Sequence, residues 1–267
     1  MNMKLLSLNV ALFEANNSKL TKFLQEQKAD IVCLQEVVRE IEELVLPQYA
    51  TKGSVDEATQ NLKYSFYGPN AVIHNIDLGE FHGQKNFHFD FGGLVEMGNY
   101  VRSKFKIVKA KNIFLENHFT YTTDYSKWPD EDYRAVLVVD LVIDEKPLRI
   151  LNYHGIWTRH KLGNEKTLAA CKKIKELALE FSGKVIICGD FNLFPDTPSM
   201  KIFEDNFVSL VDQFNIKTTR PVSNELNGST RNVVDYIWTS KDIKINSFMV
   251  INSNVSDHLP LVMEFEV

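Results

Sequence analysis

Apolar positions along the chain follow two periods, and their alternation predicts most of the elements. Met3 to Val10 (MKLLSLNV) is a short apolar run broken by Asn9, the pattern of a strand. Ser18 is placed to cap a following helix in which Leu20, Phe23 and Leu24 share one face. Asp30 to Glu36 (DIVCLQE) reads as a second strand, and helical sequence resumes from Val37 and stops before Pro47. Between Lys63 and Leu115, strands are expected at Ala71 to Ile76, Leu94 to Arg102 and Phe105 to Phe114, joined by Gly-bearing turns. Two stretches rich in aromatics and His, Phe81 to Gly93 and Glu116 to Asp132, are too irregular for core strands. They are expected as long loops, which in compact domains are often functional.

The second half has the stronger signals. Tyr133 to Ile143 is the best strand in the chain, and Asp144 to Pro147 turns it into Leu148 to His154 as a hairpin. Asn164 to Phe181 is an amphipathic helix with Leu168, Cys171, Ile174, Leu177 and Ala178 on its apolar stripe. Lys184 to Cys188 has no polar alternation, so it predicts a strand buried on both faces that surfaces abruptly at Gly189. Thr197-Pro198 looks like an N-cap with Pro in the first helical position, opening a helix that reaches about Glu204. Val208 to Gly228 has little pattern and is expected to be mostly loop; Val233 to Trp238, Ile243 to Ile251 and Leu259 to Val267 close the chain as strands. No linker, charge block or internal repeat divides residues 1–267, so a single domain of α/β or α+β class is expected.

Composition changes this picture little. Hydrophobic residues make up 44% and charged residues 24%, which suits a soluble core. A formal charge of -5 argues against nucleic-acid binding through a broad basic face, while leaving a local basic groove open. No apolar run approaches the roughly 20 residues that span a bilayer. Asn9 and Glu14 interrupt the N-terminal run, which therefore reads as a strand rather than a leader. Cys33, Cys171 and Cys188 lack metal-ligand spacing and are expected as buried thiols in a reducing compartment, hence a cytoplasmic protein. Nothing in the sequence bears on oligomeric state.

One pattern carries the candidate chemistry: apolar strands that end in an amide, a carboxylate or an imidazole. The instances are LLSLN (Asn9), IVCLQE (Glu36), LRILNYH (Asn152, His154) and VIICGDFN (Asp190, Asn192), with Asp235 in VVDYIW and Asp257-His258 in SDHLP later. Each alone has a plain explanation as a turn cap. Together they form a set rich in oxygen ligands, suited to a hard divalent cation such as Mg2+, or Mn2+. Zinc is disfavoured, since H-E-x-x-H and paired Cys/His spacing are missing.

The motifs SLNV at 7 to 10, LQEV at 34 to 37, Gly98-Asn99 followed by RSKFKI, NYHG at 152 to 155, GDFNLFPDTPS at 189 to 199, DYIW at 235 to 238 and SDHLPL at 256 to 261 occur in a telling order. In that order the chain resembles the endonuclease/exonuclease/phosphatase superfamily, which includes abasic-site endonucleases, deoxyribonucleases, sphingomyelinases, inositol polyphosphate phosphatases, deadenylases and tyrosyl-DNA phosphodiesterases. The resemblance implies a four-layer α-β-β-α sandwich of two mixed β-sheets with the site at one end. It implies a Mg2+-dependent (Mn2+ as alternative) phosphoester hydrolase, foremost a phosphodiesterase or nuclease using direct attack of water on phosphorus. A phosphomonoesterase or phospholipase-like enzyme is the alternative, and a non-catalytic binding module on the same fold a remote one. The expected partner is a phosphoester substrate, with nucleic acid among the candidates.

By the same resemblance Glu36 is the principal metal ligand, with Asn9 and Asp257 beside it. Asp190 orients or deprotonates the attacking water, Asn192 holds that water or the phosphate, and Asp235 fixes His258. Whether His258 acts as base or as phosphate-binding cation stays open, and His154 is expected on the leaving-group side. Asn99, Arg134 and Asn152 are candidates for touching phosphate or bracing the site, and Trp157, Arg159 and His160 for the rim of the same cleft. The aromatic stretch from Phe119 to Trp128 is either a stacking platform or a flap packed on the sandwich.

Overall fold

The computed structural model describes residues 1–11, 17–42, 45–81, 84–122, 133–158, 160–221 and 232–267. Arg159 and residues 123–132 of the expected aromatic loop lie outside that set.

The first half of the chain builds one mixed sheet. Its strands are β1 (Met3–Asn9), β2 (Ile31–Glu40), β3 (Tyr64–Phe81) and β4 (Gln84–Ser103), with α1 (Asn17–Gln27) and α2 (Thr51–Ala58) between them. The chain then passes through β5 (Lys106–Glu116) and β6 (Thr120–Thr122) to the hairpin of β7 (Arg134–Ile143) and β8 (Lys146–His154). After α3 (Glu165–Leu179) come β9 (Lys184–Asp190), α4 (Pro198–Lys201), β10 (Phe207–Ser209) and α5 (Leu210–Gln213). The last strands are β11 (Asp235–Ser240), β12 (Lys244–Val250) and β13 (Leu261–Glu266). The seven-stranded sheet runs β12-β13-β1-β2-β4-β3-β6 and the six-stranded sheet β10-β11-β9-β8-β7-β5. Two mixed sheets with flanking helices are the architecture that the motif order implied.

Local chemistry explains why these strands lie as they do. β1 and β2 run parallel, as do β8 and β9. Parallel neighbours need a crossover, and α1 and α3 supply it. Asn164 caps α3 through Thr167 N–H, and the Thr167 hydroxyl accepts from Asn164 N–H in return. Met3, Leu5, Ile31 and Cys33 meet Ile150, Ile186 and Ile187 in the core between the sheets. Leu6, Leu8, Val32 and Leu34 face the other way, onto Leu20, Phe23 and Leu24 of α1 and Val55 of α2. Burial on both faces is why these strands read as unbroken apolar runs.

Three expectations are corrected. Val37 and Val38 do not start a helix; they continue β2 opposite Gly98 and Met97, where β-branched side chains fit a pleated surface. Apart from residues 82 and 83, which lie outside the described set, the stretch from Phe81 to Gly93 is strand and not irregular loop, because β3 and β4 pair down to Phe81 and Gln84. Ser18 lies inside α1 rather than before it. Of the expected loop Val208 to Gly228, residues 222–228 lie outside the described set; in the rest, β10 and α5 emerge where no pattern was visible, α5 being capped by the Ser209 hydroxyl accepting from Asp212 N–H. The three cysteines are buried and free. Among the described residues no helix is long and apolar enough to cross a membrane.

Candidate active site

Three strands of the smaller sheet end abreast and set the floor of the site. His154 at the end of β8 pairs with Asp190 at the end of β9, and Asp190 pairs with Asp235 at the start of β11. Gly189 is required just before Asp190. Its φ is 132°, and a Cβ there would stand 1.9 Å from Tyr153 O. Phe191, fully buried, packs edge-to-face on Tyr153, Phe203 and Tyr236, so Asp190 and Asn192 project from a backbone anchored by one ring.

The facing sheet contributes Asn9 and Glu36. Between Leu34 and Val37 the β2–β4 register shifts, so that Gln35 and Glu36 together oppose Asn99. Glu36 sits at φ 57° in this bulge. A bulge re-aims side chains at the end of a sheet. Here it sends Gln35 inward, where Nε2 donates to Asn152 Oδ1 at 2.6 Å, and leaves Glu36 within 3.4 Å of His154 Nε2. Asn9 links the two sheets: its Nδ2 donates to Glu36 Oε1 at 3.0 Å and to Asp190 Oδ2 at 3.1 Å.

Asp190 is the hub. Its Oδ1 accepts from Asn192 N–H at 2.8 Å and its Oδ2 from Asn192 Nδ2 at 3.2 Å. Oδ2 also lies 3.6 Å from His258 Nε2 and 3.7 Å from His154 Nε2. Asp235 receives His258 Nδ1 at 2.8 and 3.0 Å on its two oxygens. Ser256 ties the segment down, with its hydroxyl donating to Asn9 O at 2.6 Å and accepting from His258 N–H.

Burial and charge divide the two histidines. Burial, then the charges of Arg134, His258 and Lys161, push His154 well below its ordinary value, so it is a neutral imidazole with Arg134 Nη1 2.7 Å from Nδ1. Burial also opposes charge on His258, yet the carboxylates of Asp235, Asp190 and Asp257 lift it to about 9. Arg220 Nη1 contacts His258 Nε2, a contact that only an unprotonated Nε2 can accept. Three carboxylates outweigh one guanidinium, and we take the imidazolium as the favoured form. Burial raises Asp235 more than the neighbouring imidazole lowers it. Asp257 is held below the usual carboxylate range: burial alone would raise it, but His258, Arg220 and Ser256 together prevail.

Donor chemistry limits where a divalent cation fits. Ligand atoms of Asp190, Asp235 and His258 lie within 4.8 Å of one another. Those side chains are only 2%, 5% and 5% exposed and already bonded among themselves and to Asn9 and Asn192. Glu36 and Asp257 keep 21% and 23% exposure. Both are hard oxygen donors of the kind Mg2+ or Mn2+ takes, Glu36 accepting from Asn9 at 3.0 Å and Asp257 from Arg220 at 2.7 Å. Asn9 turns its Nδ2 to the carboxylates and its Oδ1 to Ala11 N–H, so in this geometry it braces Glu36 and offers no oxygen.

The structure brings together Asn9, Glu36, Arg134, His154, Asp190, Asn192, Asp235, Asp257 and His258. Two candidates fall elsewhere. Asn152 is fully buried between the sheets, its Nδ2 donating to Leu34 O and Tyr100 O, and Asn99 is fully buried with Nδ2 on Ala135 O. Both are held between the sheets by backbone carbonyls, as braces of the sandwich. His160 is exposed. Trp157 is half-buried and lies under Lys161, whose Nζ is 5.1 Å from the ring centroid. Lys161 and Arg220 were not expected. Lys161 adjoins the loop residues flagged in the sequence, and its burial, 8% exposed, was the missing signal. Arg220 sits where the sequence had no pattern.

Comparison with known proteins follows the same lines. A family model described as endonuclease/exonuclease/phosphatase family matches residues 6–258. No curated protein matches the chain. Among solved structures, an endonuclease/exonuclease/phosphatase from Beutenbergia cavernae is 16% identical with TM-score 0.70, covering 100% of this chain and 72% of that one. One from Bacteroides vulgatus is 14% identical with TM-score 0.69, covering 100% and 99%. D. rerio TDP2 complexed with a single-strand DNA product is 13% identical with TM-score 0.65, covering 100% and 99%. At such identities these structures show the fold.

Proposed function

The chain belongs to the endonuclease/exonuclease/phosphatase family, and from that premise we propose a hydrolase that attacks phosphorus directly with water, aided by a divalent cation. Membership supports phosphoester hydrolysis in general. The observation that carries the finer proposal is the setting of Asp190 Oδ2, bonded to two amides and within 3.7 Å of both imidazoles. A carboxylate so fixed can orient a water and take its proton. Asn192 holds both oxygens of the carboxylate through two donors.

The neutral His154 donates through a ring N–H to a phosphate oxygen, with Arg134 behind it supplying fixed positive charge. His258, charged over Asp235, faces the negative charge that builds on the phosphate oxygens, and His154 keeps the leaving-group side. Mg2+ or Mn2+ at Glu36 and Asp257, when bound, would neutralise phosphate charge and polarise the phosphorus centre. A phosphodiester is the leading substrate. That D. rerio TDP2 is complexed with a single-strand DNA product supports nucleic acid as one candidate substrate here. We propose that residues 1–267 act as one domain, and the buried thiols suit a cytoplasmic setting. Phosphomonoesters are a second reading, favoured by the buried cation Lys161.

The test uses Glu36→Gln. In the native chain Mn2+ should raise the unfolding midpoint and support hydrolysis of an aryl phosphodiester that chelator abolishes. In the variant the half-saturating Mn2+ concentration should rise by about 10-fold or more, since a charged ligand is lost. Unchanged metal stabilisation would remove Glu36 from the ligand set.

A further inference from the structure

Lys161 presents a problem of charge. It is only 8% exposed, and its polar partner among the described residues is a neutral one, Asn192 Oδ1, with the Trp157 ring alongside. No carboxylate lies within ion-pair distance of its Nζ among those residues. Burial lowers it to about 8, with Asp190 and Asp235 offsetting that only in part. A buried ammonium without a contacting anion is expensive to keep. Arg220, whose charge is felt at Lys161, holds Asp257 Oδ2 at 2.7 Å and touches His258 Nε2, the atom that faces Asp190. Arg134 backs His154. Three cationic side chains thus surround one carboxylate hub, in addition to any divalent ion at Glu36.

A diester phosphate brings a single negative charge, which one divalent ion can neutralise. A terminal phosphate brings about two at neutral pH, with three free oxygens to be bonded. Resting on the phosphoester reading above, we propose that Lys161 and Arg220 form a two-sided clamp selecting a dianionic terminal phosphate, a phosphomonoester group, at this site. Arg220 is the movable jaw. Its ion pair with Asp257 is what a cation and a substrate would replace, and its guanidinium can then bond two phosphate oxygens at once. Lys161 is the fixed jaw, held by Trp157 and Asn192. The clamp gives these two side chains a task that water orientation by Asp190 does not require.

Methyl phosphate and dimethyl phosphate are the probes, because they differ by one charge and one methyl. Their binding to the full chain is measured by calorimetry at pH 7 with Mg2+ present. Methyl phosphate should bind roughly 10- to 100-fold more tightly, the value of a charge-assisted hydrogen bond or two. Lys161→Met and Arg220→Gln should each bring the ratio near one, while Arg220→Lys should keep much of it. If Lys161→Met does not fold, Arg220→Gln carries the comparison, since Arg220 lies nearer the surface at 17% exposure. Equal binding of the two probes by the native chain, binding of neither, or a preference that survives both neutral variants would overturn the clamp. A parallel assay of aryl diester hydrolysis separates this from the parent proposal. A chain that cleaves diesters yet shows no charge preference loses the clamp alone, and one that selects methyl phosphate yet cleaves nothing keeps the clamp and loses the hydrolase.

Discussion

Asp190→Asn is expected to lower kcat by about 1,000-fold, the contribution of a positioned base, with KM little changed. The exchange is nearly isosteric. Asn at this position keeps an oxygen to accept from Asn192 N–H and loses only the charge and the second acceptor that face Asn9 and the two imidazoles. The fold should therefore survive, because Phe191 and the β9 pairings anchor the segment independently of the carboxylate. Single-turnover rates and the urea midpoint, measured together, check this. A near-normal rate would take Asp190 out of water handling, and a collapsed midpoint would mean its hydrogen bonds chiefly stabilise the fold.

The second large effect is non-additive. His258→Ala and Asp235→Ala should each reduce turnover by about 100-fold or more, and the double variant should cost little beyond the worse of the two. The reason is the 2.8 Å contact: once the imidazole is gone, the buried carboxylate has nothing to orient. Asp235→Asn should preserve packing while removing the charge that helps lift His258 to about 9. The pH consequence has a definite sign. A base raised above its ordinary 6.5 contributes stability that is fully present below pH 6.5 and fades as pH rises through about 9. In the metal-free protein, the native chain should lose stability across that window and Asp235→Asn should lose less. Clearly additive kinetic losses would argue against a dyad.

How far the sequence carried depended on how local each signal is. Strand ends such as Asn9, His154 and Asp190 were legible because a polar residue closing an unbroken apolar run announces where a buried strand surfaces. Convergence was legible only through the order of the motifs, since no periodicity says that Asp190 and Asp235 share a rung. The bulge at Glu36 hid the length of β2: a helix was expected from Val37 because two extra polar residues look like an element boundary, whereas Gln35 turns in to Asn152 and Glu36 reaches His154 at the site. For Asn99 and Asn152 the sequence allows both a phosphate contact and a bracing role, because amides near strand ends are ambiguous. Their burial between the sheets, bonded to backbone carbonyls, is a tertiary fact. Lys161 escaped notice for the same reason, as a lysine in a loop is ordinarily solvated.

Hydrolysis in 18O-labelled water tests the central claim most directly. With an aryl phosphodiester or monoester and Mg2+, the account predicts one labelled oxygen in the phosphorus-containing product, none in the released phenol, and loss of both label and product in chelator or in Asp190→Asn. Label in the phenol, or turnover indifferent to chelator and to Asp190→Asn, would contradict it.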